Sequence, residues 1–108
     1  MIAPFMLMLM ADAGIATFTD GHELAAMCRA DRPACTRYVV AASDMVASLE
    51  NAKALPPSVC IGADADAKQL TDTVVRFLAN HADALDQSAG ALIWAALYDA
   101  HPCPSNGQ

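Results

Sequence analysis

The stretch CRADRPAC, from Cys28 to Cys35, holds two of the four cysteines in this chain, with a proline and three charges between them. The other two are Cys60 and Cys103. Structural zinc sites usually carry a cysteine pair two to four residues apart, and no pair here is that close. A C-x-x-C redox pair is also missing. An even cysteine count in a short chain reads instead as a disulfide framework, and with it an oxidising compartment. Four cysteines allow three pairings. The favoured one joins Cys28 to Cys35 around Pro33, and Cys60 to Cys103 between a mid-chain loop and the C-terminal end. On a chain-entropy model these staples contribute roughly 2.5 and 4 kcal/mol.

The staples matter because the core is short of large side chains. The chain has 108 residues, one domain's worth, with three Phe, two Tyr and one Trp. It is 56% hydrophobic and 17% charged, much of it alanine, which favours closely packed helices. A small core of this kind gains from cross-links. Net charge is −6, with six Lys and Arg against twelve Asp and Glu. That balance argues against nucleic acid and against an anionic membrane surface as partners. It suits a basic protein partner, or serves solubility alone.

The N-terminus supports export. MIAPFMLMLM is too short to span a bilayer and fits the apolar region of a secretory signal. Small residues follow in ADAGIA, with cleavage expected between Gly14 and Thr17. No Lys or Arg precedes the apolar run. Residues 1–16 are therefore expected to be a signal-peptide-like segment, and 17–108 a single helical domain.

Four helices are expected. TDGHELAAMCRA is capped by Asp20, with Glu23 completing a capping box, and presents Leu24, Met27 and Cys28. It ends near Asp31 and Arg32, before Pro33. ACTRYVVAASDMVASLENA follows, with Cys35, Tyr38, Val39, Ala42, Val46 and Leu49 on one stripe. Ser43, Asp44 and Glu50 fall off it. ALPPSVCIGADAD is the one long loop. Asp64 or Asp66 then caps AKQLTDTVVRFLANH, with Leu70, Val74, Phe77 and Leu78 inward. Asp83 or Asp86 caps ALDQSAGALIWAALYDAH, with Leu85, Ala89, Leu92, Ile93, Ala96 and Leu97 inward and Trp94 near that face. Gly90 costs about 1 kcal/mol against alanine unless a neighbouring helix needs the close approach. No stretch alternates as a half-buried strand does. The fold class is a small all-α, four-helix domain stapled by two disulfides.

Residues for catalysis are harder to find. A cysteine held in a disulfide is no nucleophile, so His22, His81 and His101 have no partner for Cys–His chemistry. His81 and His101 sit at helix C-termini, where a cationic side chain suits the dipole. The pairs Asp64 with Asp66 and Asp83 with Asp86 read as caps and solvated faces before they read as a hydrolase. No G-x-S-x-G, P-loop or His-Glu-x-x-His motif occurs. No enzyme, metal or cofactor is expected; such a chain works by binding.

The arrangement FTDGHELAAMC, ACTRYVVAASDMV, VCIGADADAKQLTDTVVRFLANHADAL and SAGALIWAALYDAHPC resembles the Rap/Tai family of immunity proteins. The resemblance runs from Phe18 to Cys103. Phe18, Gly21, Leu24 and Cys28 match its opening pattern, and Ala34, Cys35, Tyr38, Val39 and Asp44 its second helix. Val59, Cys60 and Ile61 match its turn; Gln69, Leu70, Val74, Val75, Phe77 and Leu78 its third helix; Ala96, Leu97, Pro102 and Cys103 its close. The chain departs at His81-Ala82-Asp83, where the family has His-Pro-Glu, at His101, where it has Phe, and at Gly62-Ala63-Asp64, which lacks its proline.

The resemblance implies a periplasmic, helical, disulfide-bonded and often dimeric protein. It implies binding to a peptidoglycan amidase effector of the type VI secretion system, whose catalytic cleft the immunity protein occludes, protecting against self-intoxication. The other reading is a small periplasmic helical chaperone that binds unfolded clients. An amidase cleft with an imidazole and basic rims attracts carboxylates. The candidate partner-binding residues are therefore Asp64, Asp66 and Gln69 in the loop, and His81, Asp83 and Asp86 at the joint.

Overall fold

The structure is a computed structural model and describes residues 16–104. The expected signal-peptide-like segment lies outside the described residues except for Ala16. Four α-helices run in order: α1 (Gly21–Ala30), α2 (Arg32–Asn51), α3 (Ala67–Asn80) and α4 (Ala89–Ala100). A 3-10 turn, Ala82–Ala84, lies between α3 and α4. Among the described residues there are no strands, only isolated bridges at Asp20–Ser88 and Val59–Pro102. No described helix is long and apolar enough to cross a membrane.

Local chemistry sets the helix starts. Asp20 accepts from the Glu23 amide and Glu23 accepts from the Asp20 amide, a complete capping box on α1. Asp66 and Gln69 build the same reciprocal pair on α3. Of the two expected caps for α3, Asp66 is the one used. Asp31 closes α1 with its backbone and opens α2 with its side chain, 3.1 Å from the Ala34 amide. Pro33 sits in the first turn of α2, where its missing N–H is not needed. At its other end, α2 stops in a Schellman arrangement. The Ala54 amide bonds Leu49 O, the Lys53 amide bonds Glu50 O, and Lys53 adopts φ 65°.

The expected start of α4 is corrected. The helix opens at Ala89, not near Ala84, and Ser88 caps it, not Asp83 or Asp86. The reason is tertiary. The backbone on either side of Asp20 pairs with residues 87–89: the Gly21 amide bonds Gln87 O and the Ala89 amide bonds Thr19 O. That ladder holds residues 85–88 out of helix. Gly21 allows the approach. A Cβ there would lie 2.8 Å from the Leu85 Cα and carbonyl oxygen.

The four helices all touch one another. Their shared core is Leu24 and Cys28 from α1, Cys35 and Val39 from α2, Leu70, Val74 and Leu78 from α3, and Leu92, Ile93, Ala96 and Leu97 from α4. Both favoured disulfides form, Cys28–Cys35 and Cys60–Cys103. The first is buried and joins α1 directly to α2. The second pins the loop to the end of α4, beside backbone bonds from Cys60 N to His101 O and from Cys103 N to Ser58 O.

Two expectations about faces, for Ser43 and Trp94, are corrected. Ser43 is buried, because it continues the line of Cys35 and Val39 at four-residue spacing along the inward face of α2. Glu50, off the apolar stripe as expected, turns to the loop: its carboxylate accepts from Ser58 N, Ser58 Oγ and Val59 N at 3.0–3.2 Å. Trp94 is 38% exposed and stacks on Tyr98 outside the core. The core is already filled on that side by Leu92, Ile93, Ala96 and Leu97.

Candidate functional site

The loop from 52 to 66 and the outer face of α3 meet at a polar cleft of about 470 Å³. Asp64 and Gln69 line it, with Asp72, Thr73, Arg76 and His101. On α3, positions 69, 72, 73 and 76 recur at helical spacing, so one side of that helix supplies most of the wall. His101 arrives from the end of α4, carried by the Cys60–Cys103 staple and the Cys60–His101 backbone bond. The loop's own geometry is set from behind by Glu50.

A smaller recess of about 120 Å³ continues the same face and shares Thr73 and Arg76. His81 lines it, along with Phe77, Asn80 and Asp99. The His81 ring stacks on Phe77 with centroids 3.9 Å apart, and Nδ1 lies 2.8 Å from Phe77 O. A carbonyl only accepts, so Nδ1 carries a proton and donates. This satisfies an end-of-helix carbonyl and fixes the ring.

The six sequence-derived candidates therefore divide. Asp64, Gln69 and His81 share the α3 face. Asp66 beside them is engaged with the Gln69 backbone. Asp83 and Asp86 line neither recess. Asp83 is exposed in the 3-10 turn. Asp86 lies 3.0 Å from His22 Nε2 and links the joint to the start of α1. Asp72, Thr73, Arg76 and His101 were not among the candidates. The polar stripe of α3 signals the first three; only the fold brings His101 to them.

Charge at the cleft is mixed. Lys68, 2.8 Å away and one turn back on α3, hydrogen-bonds Asp72 and holds its carboxyl below the usual carboxylate range. Arg32, reaching across from the start of α2, adds to this. Asp64 and Asp72 thus share one shallow cleft with Arg76 and His101. The cleft has no nucleophile of the Cys–His type, because all four cysteines are in disulfides. Among the described residues no group of His, Cys, Asp and Glu is placed to hold a metal ion. The arrangement is suited to recognising a polar surface.

No curated protein and no solved structure matches the chain. The family model of the Rap1a immunity proteins matches residues 20–103. That span begins at the cap of α1, ends at the second staple, and contains every helix of the described residues and both disulfides. On this evidence the chain belongs to the family of Rap1a immunity proteins, whose members act on a cognate secreted effector.

Proposed function

We propose that this protein is a periplasmic immunity protein that binds a peptidoglycan amidase effector of the type VI secretion system and occludes its catalytic cleft. The observation that carries the reading is the family match across the whole stapled domain. Two disulfides in so short a chain fit an extracytoplasmic protein. The protein acts by binding and catalyses nothing itself. Its contact surface is the α3 face with the adjoining loop, where Asp64, Gln69 and His81 gather with Asp72, Arg76 and His101. Carboxylates at that face complement a catalytic imidazole and a basic rim. Asp83 and Asp86 extend the surface toward α1.

The test is to express residues 17–108 in an oxidising compartment with the amidase encoded beside the gene. Complex formation and residual peptidoglycan cleavage are then measured. A tight complex with cleavage abolished supports the reading. If Asp64→Ala and Gln69→Ala together leave inhibition unchanged, the contact surface is elsewhere. Absence of any complex removes the amidase reading. Suppression of aggregation across unrelated clients would then favour the chaperone.

A further inference from the structure

On a neighbouring side of α3 lies a second groove, of about 590 Å³, between α3, α1 and the 3-10 turn. Its volume falls among those of ligand pockets, roughly 300–1,000 Å³. Two helical stripes form its walls: Ala25, Cys28, Arg29 and Arg32 on one side, Val75, Leu78 and Ala79 on the other. Ala25, Cys28 and Arg29 share one face of α1 at i, i+3, i+4, and Arg32 joins them from the start of α2, past the non-helical break at Asp31. The floor is apolar, and small side chains keep it open.

The groove's charge is opposite to the chain's. Net charge is −6 with only six Lys and Arg, yet two of those six line this groove and no acid does. Arg32 is already paired with Asp72. Arg29 makes no ion pair among the described residues. Its position in the last turn of α1 suits the helix dipole, but that needs no apolar groove beside it. An apolar floor with an available guanidinium at its rim matches an apolar segment bearing a carboxylate, which arginine grips in bidentate fashion.

We propose that this groove docks an apolar segment of the cognate effector that carries an Asp or Glu side chain. The proposal rests on the immunity reading and adds a second contact, beside the α3 cleft and separated from it by the Arg32–Asp72 pair. Arg29 is the specificity residue, and the walls formed by Ala25, Leu78 and Ala79 receive the apolar part.

Two measurements test it. In the first, the ¹⁵N-labelled protein is titrated with octanoate and, separately, with octylamine. Octanoate is expected to shift the amides of Ala25, Arg29, Leu78 and Leu85, and octylamine is not. In the second, Arg29→Glu, Arg29→Lys and Ala79→Trp are titrated with the amidase, each after its melting temperature is found close to wild type. Arg29→Glu and Ala79→Trp are expected to weaken the complex roughly tenfold or more, and Arg29→Lys less. Unchanged affinity in both variants overturns the proposal, as does an octanoate titration that leaves the groove amides unmoved. If Arg29→Glu instead splits a homodimer with effector affinity intact, a second copy is the occupant and the proposal fails. If wild type binds no amidase while octanoate still fills the groove, the amidase reading fails and the groove's preference for an apolar carboxylate stands.

Discussion

Glu50 is the residue on which the long loop depends. Its carboxylate receives two backbone amides and one hydroxyl from Ser58 and Val59, at 3.0–3.2 Å, next to the buried Val59 side chain. Replacing it by alanine removes all three acceptor contacts and leaves two part-buried amides to find water. Hydrogen bonds to a charged group contribute about 1.5–3 kcal/mol each, but these share one oxygen and water reaches the site. The Cys60–Cys103 staple also holds the loop nearby when Glu50 is gone. The net loss on Glu50→Ala is therefore about 2 kcal/mol, well below the sum of three bonds. For a domain of this size that corresponds to a fall in melting temperature of roughly 8–16 °C. Glu50→Gln keeps an acceptor oxygen and is expected to lose about half as much. Thermal unfolding followed by circular dichroism, with both disulfides intact, reads the first number. Amide exchange at Ser58 and Val59 shows whether the loss is local. A Glu50→Ala melting curve overlying wild type would refute the idea that this carboxylate anchors the loop.

Three more outcomes are expected. Gly21→Ala forces a Cβ to within 2.8 Å of the Leu85 backbone, so it should destabilise by about 1–3 kcal/mol in denaturant titration. Gly90 has nothing within 4 Å of where its Cβ would be, so no neighbouring helix needs that glycine. Gly90→Ala should therefore stabilise by about 0.5–1 kcal/mol, and any loss would contradict the open space seen there. The Asp72 carboxyl is held below its ordinary range by Lys68 and then Arg32. A lowered folded-state value means the ion pairs stabilise above the unfolded carboxylate range, near pH 4, and that this is lost as pH falls through the folded value. Melts of wild type and Asp72→Asn should differ at pH 6 and converge toward pH 2; since the partners are largely solvent-exposed, high salt should narrow the gap.

Much of the fold was legible from the chain. Asp20 with Glu23, and Asp66 with Gln69, mark their helix starts because a cap joins residues three apart, a distance that sequence displays directly. The stripes of Leu24 and Cys28, or of Leu70, Val74 and Leu78, follow from the helical period alone. The favoured disulfide pairing formed as well. The start of α4 misled, because Leu85 to Gln87 continue a helical pattern and only the backbone bonds that Leu85 and Gln87 accept from His22 and Gly21 deny it. Trp94 misled for a similar reason: a tryptophan in an apolar helix reads as core until the core is seen to be full.

The candidate site was legible only in part. Asp64, Gln69 and His81 could be named from the chain because they stand at helix ends and in the one long loop. That Arg76 and His101 join the first two in one cleft, that His81 locks onto Phe77, and that Asp86 turns away to His22, required the packed structure. Caps, helical periods and the Cys28–Cys35 staple are fixed by neighbours in sequence, so the chain alone marked out a four-helix domain with cysteines to staple it, while the Cys60–Cys103 closure spans 43 residues and needs the fold. Which polar faces converge depends on helix rotation and on contacts such as Glu50 with Ser58. Residues far apart in sequence set those, and tertiary packing alone decided them.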